Sequence, residues 1–331
     1  MSNSTLRKSI KLQSEILKMF LFAGEDGLSI KEISTSLNVN KNNIKYEIAQ
    51  LNEAGFVFVG IKKITLSKIP ESIQPPMVLL GLKAKQFGHE LYSYKTIGST
   101  NETAKRLAES GSSEGTVVTA ENQTRGKGRL GRSWYSPAGK GLYFSVILYP
   151  KIDVVKMPAL SQVAALSVSK VVEKLTNIET GVKWPNDCLL NSKKVAGILL
   201  EASAELDKIS YVVLGIGINV NTSKKKFPMS LRSRATSLAI ESGNEFNKTE
   251  VLKLLLYELE KSYNSFCKYG LRFIGHELTN KSVVLGRKLD FKVGRKKITG
   301  TAIGLDKNGA LRVKVGQEVQ TISAGEVTLR K

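Results

Sequence analysis

Apolar positions in the first sixty residues recur with helical spacing. Ile10, Ile16, Leu17 and Phe20 mark one face of an amphipathic helix that ends near Gly24. Ser29-Ile30-Lys31-Glu32 has the form of a capping box, in which the serine hydroxyl accepts from a free backbone N–H and the glutamate reaches back. A short helix through Ile33 to Leu37 follows from it. After a turn at Asn38-Val39-Asn40, Ile44, Ile48 and Leu51 predict a third helix. Phe56–Val59 and Lys62–Leu66, with Gly60 between them, read as a two-stranded wing. Two short helices joined by a tight turn form a helix-turn-helix layout. Lys41, Asn42, Asn43 and Lys45 stand at the exposed start of its second helix, where side chains reach base edges and phosphates. Three-helix units of this kind also mediate protein contacts.

Ser67 to Pro76, with Pro70, Pro75 and Pro76, is the natural break. The spacing then predicts helices over about 99–110, 157–176 and 248–270. Strand-like runs alternate with them at Thr116–Ala120, Leu142–Leu148, Val182–Trp184, Val195–Glu201 and Tyr211–Val220. From Lys281 onward short β runs are punctuated by Gly294, Gly300, Asn308-Gly309 and Gly316, as in a small all-β barrel. The expected organisation is therefore a winged helix-turn-helix unit over 1–66, a linker over 67–80, an α/β domain with a mixed or largely antiparallel sheet over 81–280, and a β domain over 281–331.

Composition narrows the function classes. A chain of 331 residues with 41% hydrophobic positions supports two or three cores. No apolar run approaches the roughly 18 to 20 residues of a membrane span. Met1–Lys11 is polar and basic with no apolar run behind it, so a cytoplasmic protein is expected. Cys188 and Cys267 are far apart and read as two reduced thiols, and His89 and His276 alone give no basis for a histidine metal site or a Ser-His-Asp triad. The net charge of +21 points to anionic partners, but only +3 of it falls in residues 1–80, against +10 in 81–280 and +8 in 281–331. Most of the excess thus lies outside the helix-turn-helix segment, and a solvated basic surface accounts for much of it.

The chemistry concentrates in three segments. Glu121–Trp134 contains Gly126, Gly128 and Gly131 in the spacing of a dinucleotide loop. That fingerprint needs a helix directly behind it, whereas Ser133 to Gly141 carries Pro137 and two more glycines and leads to a strand. Glycines interleaved with Arg125, Lys127, Arg129 and Arg132 instead suit a loop that closes over a polyanion with backbone N–H groups and cationic side chains. The second segment, Lys183-Trp184-Pro185-Asn186-Asp187 leading to Lys193-Lys194-Val195-Ala196-Gly197-Ile198, places two lysine-bearing strands and a carboxylate at one sheet edge, fit for phosphate clamping and a metal or amine contact. The third, Gly215-Ile216-Gly217-Ile218-Asn219, is a strand whose glycines permit close approach or mark a bulge.

In order along the chain, these segments resemble the biotin protein ligase family. The resemblance rests on Ser99-Thr100-Asn101, Gln123 to Trp134, Gly141–Ser145, Lys183–Asp187, Lys194–Ile198 and Gly215–Asn219. It extends over Leu285–Arg287, Asp306–Ala310, Gly325-Glu326 and Leu329-Arg330 at the C-terminus, where it implies a small SH3-like barrel. The N-terminal unit is similar to that of the two-function branch, which also represses biotin-synthesis genes. Two departures stand out. The family loop often reads Gly-Arg-Gly-Arg-Arg-Gly-Arg where this chain has Lys127 and Leu130, and Asn40-Lys41 stands where Ser-Arg is frequent.

The resemblance implies roles. Ser99, Thr100, Asn101 and Gln123 would hold the ureido ring of biotin. Gly126, Lys127, Gly128 and Arg129 would fold over its carboxylate and the nucleotide phosphate. Lys194 would be the lysine at the reacting carboxylate and α-phosphate, and Trp134 would pack against adenine. Arg132, Lys183, Asn186 and Asn219 would line the ATP or adenylate site, with Asn186 and Asp187 near Mg²⁺. The implied reaction is biotin adenylation by ATP followed by transfer to a lysine of a biotin carboxyl carrier protein, Lys194, Arg129 and Asp187 being the catalytic set. Operator DNA of biotin genes is the second implied partner, with a homodimer formed on adenylate binding left open. A biotin-sensing regulator without ligase activity, and a lipoate or octanoate ligase of the same fold, are the competing readings.

Overall fold

The computed structural model describes residues 3–205, 208–293, 296–323 and 325–329; Gly294 and Arg330 lie outside the described residues. Three helices, α1 (Asn3–Ala23), α2 (Ile30–Leu37) and α3 (Lys41–Glu53), close on a core of Ile16, Leu17, Phe20, Ile33, Ile44, Ile48, Leu51 and Phe56. The capping box forms as expected. Glu32 N donates to Ser29 Oγ at 3.2 Å, and Ser29 N to Glu32 Oε2 at 2.7 Å. Asn38 ends α2 with φ +51°, a conformation Asn tolerates well.

The wing departs from expectation in its second strand. β1 (Val57–Val59) pairs antiparallel with β2 (Thr65–Lys68), which begins three residues later than Lys62. Gly60 takes φ +119°, and Ile64 is held in an isolated bridge with Leu28. The turn therefore consumes residues that alternate like a strand.

The segment expected as a linker carries regular structure. Residues 67–80 contain the end of β2 and a helix, α4 (Pro75–Leu79). Pro75 and Pro76 occupy its first turn, where a missing N–H costs nothing. Val78 is buried in the core of the following domain, while Met77 packs on the N-terminal core. Arg7 of α1 ties the same two bodies together, since its guanidinium meets the buried Glu90 carboxylate and Ser113 Oγ at 2.7 Å.

The central domain is a seven-stranded sheet. Its elements are β3 (Leu91–Ile97), α5 (Thr100–Glu109), β4 (Val117–Gln123), β5 (Gly141–Leu148), α6 (Ala159–Thr176), β6 (Thr180–Lys183), β7 (Asp187–Leu190), β8 (Lys193–Glu205), β9 (Lys208–Asn219), α7 (Leu238–Ser242), α8 (Lys248–Tyr269) and α9 (Gly275–Lys281). The strand order is β3-β4-β5-β9-β8-β7-β6, parallel between β3 and β4 and antiparallel elsewhere, which is the mixed sheet expected. α6 and α8 cover one face with the main core, and α5 packs on the other over Val118, Ile147 and Val213. β5, buried along all eight residues, is the middle of the sandwich. Beyond it, β10 (Lys288–Val293), β11 (Lys296–Leu305), β12 (Leu311–Val315), β13 (Glu318–Ile322) and β14 (Glu326–Leu329) make an antiparallel sheet ordered β13-β12-β11-β10-β14. Trp184 inserts into that sheet's core and donates its indole N–H to Gly309 O at 3.1 Å. No helix among the described residues is long and apolar enough to cross a membrane.

Candidate active site

A polar chain runs beneath the start of α5. Ser99, the N-cap residue, and Thr100 and Asn101 of the first turn are all buried. Gln123, the last residue of β4, accepts from Thr100 N at 2.9 Å and from Thr100 Oγ1 at 3.2 Å through its amide oxygen. Its amide nitrogen donates to Ser136 Oγ at 3.0 Å. Ser145 of β5 lies 2.8 Å from Thr100 Oγ1 and 2.6 Å from Asn101 Oδ1. Asn101 Nδ2 donates to Glu201 Oε2 of β8 at 2.8 Å. A compact group rich in N–H and C=O functions fits such a lining, because it can pair with the donors and acceptors concentrated there.

The loop from Thr124 to Trp134 is folded on itself rather than extended. Gly128 N donates to Arg132 O at 2.7 Å and Trp134 N to Gly126 O at 2.8 Å. A Cβ at Gly126 would stand 2.6 Å from Trp134 O, so only glycine permits that approach. Leu130, at the tip, is exposed with φ +55°. Lys127 pairs with Glu102 of α5; that contact raises the lysine's pKa and lowers the carboxylate's. Arg129 donates to Asn186 Oδ1 at 3.0 Å and to Gly325 O at 3.4 Å, bridging the loop to the C-terminal sheet.

Lys194 owes its position to a bulge. Across β7 and β8, Cys188 faces Ala196 and Leu189 faces Lys194, so Val195 is the extra residue and the strand is re-aimed. The Lys194 backbone is clamped from the other side by Arg234 O at 2.8 Å and Thr236 N at 3.0 Å. Its ammonium lies 2.6 Å from Asp187 Oδ1, close enough for an ion pair but in a direction that leaves this buried oxygen without a hydrogen bond. It also stands 5.3 Å from the centroid of Trp134. The indole lies over two glycines: a Cβ at Gly217 would be 2.5 Å from it and one at Gly197 2.9 Å. Trp134 Nε1 is buried with no hydrogen-bond partner among the described residues.

Lys194 and Trp134 mark a junction. On one side is the polar cleft of Ser99, Thr100, Asn101, Gln123, Gly215 and Gly217. On the other is a cavity of about 570 Å³ edged by Arg132, Lys183, Asn219 and Arg234. Asn219 is buried and donates to Thr236 O at 2.9 Å. One half suits a small polar ring, the other a polyanion with a planar base, and the two meet at an ammonium.

Two family models match the chain: "Biotin/lipoate A/B protein ligase family" over residues 93–219 and "Biotin protein ligase C terminal domain" over 284–330. The Bifunctional ligase/repressor BirA of Bacillus subtilis is 32% identical over 98% of this chain and 99% of its own. This chain belongs to the biotin protein ligase family. The BirA protein of Escherichia coli is 27% identical over 94% of this chain and 95% of its own. The biotin protein ligase from Aquifex aeolicus, solved with biotin and ATP, superposes with a TM-score of 0.63 at 35% identity, covering 73% of this chain and 99% of that one.

Within this family member most of the expected residues converge on one cleft system, while Gly126 packs against Trp134 and Ser136 and is not part of its lining. Ser99, Thr100, Asn101, Gln123, Lys127, Gly128, Arg129, Trp134, Asn186 and Lys194 line its polar half, and Arg132, Lys183, Asp187 and Asn219 its cationic half. Lys41, Asn42, Asn43 and Lys45 stand far along the chain in the helical head, exposed at the start of α3. The Asn186 side chain is engaged at both ends, accepting from Arg129 and donating to Ile198 O at 2.6 Å. Among the described residues no three His, Cys, Asp or Glu side chains gather as a metal site. Arg234, Glu102 and Glu201 escaped sequence reasoning, and Ser145 entered it only within the matched run Gly141–Ser145, with no role. Each lies outside the three motifs or makes its contact across strands.

Proposed function

We propose that this protein adenylates biotin with ATP and transfers the biotinyl group to a lysine of a biotin carboxyl carrier protein, and that its N-terminal unit binds operator DNA. The observation that carries the enzymatic reading is the place of Lys194 at the junction of the two cleft halves, beside Asp187 and Trp134. A biotin carboxylate and an ATP α-phosphate brought there are both anionic, so positioning and charge neutralisation are the main task. Lys194, Lys127 and Arg129 supply the charge. A carboxylate oxygen bonds to the α-phosphorus, the bond to the β-phosphate bridge breaks, and pyrophosphate leaves. Mg²⁺ bound to the phosphates, with Asp187 as a protein ligand, would add further charge neutralisation.

In the second step a neutral acceptor amine bonds to the acyl carbon, the acyl–oxygen bond breaks, AMP leaves and the amine loses a proton. A lysine with a pKa near about 10.4 is mostly protonated at pH 7, so a carboxylate at the site has work to do. Asp187, whose Oδ1 is buried without a hydrogen bond, is placed to orient or deprotonate it. The loop over residues 121–135 closes on the ligands and shields the mixed anhydride from water. The C-terminal sheet is read as an SH3-like barrel and residues 1–66 as a winged helix-turn-helix, with the division into 1–66, 67–80, 81–280 and 281–331 as its working outline.

Pyrophosphate release from biotin and MgATP, without acceptor, tests the reading. Release that stops with Lys194→Ala is expected; a protein that binds biotin and releases nothing would be a sensor instead. A shift of biotin-gene promoter DNA that is lost with Lys41→Ala and Lys45→Ala together tests the DNA reading, and an unshifted promoter overturns it.

A further inference from the structure

We propose that Glu201 is a positioning residue of the ring site. Its carboxylate fixes the orientation of the Asn101 carboxamide and thereby sets which groups along Ser145, Thr100 and Gln123 donate and which accept. The inference rests on biotin being the ligand of that site and deepens it by naming what selects the ureido ring.

A carboxamide can be turned end for end at little steric cost, so hydrogen-bond partners decide its direction. Asn101 is only 3% exposed, which makes a mismatched end expensive. An ionised Glu201 can only accept, so the end facing it is Nδ2, at 2.8 Å. Leu199 O, another pure acceptor, lies 3.4 Å from the same nitrogen. Oδ1 is then turned to Ser145 Oγ at 2.6 Å, and only the hydroxyl can donate in that contact. Ser145 has one proton. The same hydroxyl lies 2.8 Å from Thr100 Oγ1, and a proton committed to Asn101 cannot also be given to that oxygen. Thr100 spends its own proton on Ser145 or, at 3.2 Å, on Gln123 Oε1, and its oxygen is left with lone pairs for an incoming N–H.

The outcome is a fixed polarity from Glu201 on β8 through Asn101 to Ser145 on β5, which leaves the Thr100 oxygen able to accept. A ureido ring offers N–H donors to that oxygen, whereas a dithiolane or an alkyl chain offers none. Gly215 makes room for the carboxamide, since a Cβ there would fall 2.0 Å from Asn101 Oδ1 and push it aside. Glu201 also faces Lys105, whose ammonium is 4.0 Å away and one-third exposed, a weak partner that does not fix the carboxylate.

The test is steady-state pyrophosphate release by the full chain at varied biotin. Glu201→Ala is expected to raise the biotin KM about tenfold, or about 1.4 kcal/mol, with kcat and the ATP KM changed by less than about twofold. Glu201→Gln, whose amide oxygen can still accept from Asn101, is expected to recover most of that loss. Lys105→Met is expected to leave the biotin KM where it was. An unchanged biotin KM in Glu201→Ala overturns the proposal, as does a fall confined to kcat and thermal stability, or the same effect from Lys105→Met. Wild-type protein that releases no pyrophosphate with biotin would overturn the ligase reading itself.

Discussion

The Lys194 ammonium and the Asp187 carboxylate lie 2.6 Å apart on neighbouring strands, brought together by a one-residue bulge. On the proposed mechanism the pair would give each partner a second duty: Asp187 would hold the lysine that faces both anions in the first step, and would be released toward the acceptor amine once that lysine turned to the phosphate. Asp187→Asn keeps the shape but removes the charge. Transfer from preformed biotinyl-AMP is expected to slow about 10²-fold, in the range usual for a lost general base, and adenylation less. Single-turnover transfer measured by rapid quench checks this, and transfer at the wild-type rate would remove Asp187 from the second step.

The indole of Trp134 rests on bare backbone at Gly197 and Gly217. Gly217→Ala would put a methyl 2.5 Å from the ring, and that strand is backed by the main core, so the indole must move. Overpacking of this kind costs about 1–3 kcal/mol. Adenylation is expected to fall at least about tenfold, since a misplacement of about 1 Å in a positioned site costs that much or more. Urea unfolding and pyrophosphate release together check it. Unchanged activity would mean that the indole does not shape the nucleotide cleft.

Both thiols are withdrawn from chemistry. Burial pushes Cys188 up to about 12 and Cys267 up to about 11 from an ordinary 9.0. A thiol reagent at pH 8 is expected to react with unfolded chain and not with native protein. The linkage has a definite sign. The raised folded pKa values give stability that is fully present below pH 9.0 and is lost as pH rises from there to about 11 and 12, the range in which unfolded thiols ionise and folded ones do not. Unfolding midpoints followed from pH 8 upward check the direction; rapid native labelling at pH 8 would contradict it.

What was legible in the sequence was mostly local. The capping box at Ser29 and Glu32, the face of Ile44, Ile48 and Leu51, and the strand that follows the glycine loop all depend on neighbours within a turn or two. The cleft was legible through its motifs, because Lys194, Asp187 and Trp134 carry charge or bulk that has few other uses. Residues acting across the sheet were not. Glu201 meets Asn101 a hundred positions away, and Ser145 reads as one more buried strand residue. The same holds for β3, an edge strand with Tyr92, Ser93, Tyr94, Lys95 and Thr96 in its middle. The stretch of prolines misled for a different reason: Pro75 and Pro76 punctuate a chain when isolated, but open a helix when a buried Val78 follows.

Labelling of a biotin carboxyl carrier domain, read by streptavidin blot after incubation with biotin and MgATP, tests the central claim most directly. The account predicts a labelled carrier with wild-type protein and loss of the label with Lys194→Ala or Arg129→Gly. A carrier left unlabelled by the wild type, or one that takes up lipoate or octanoate instead, would contradict it.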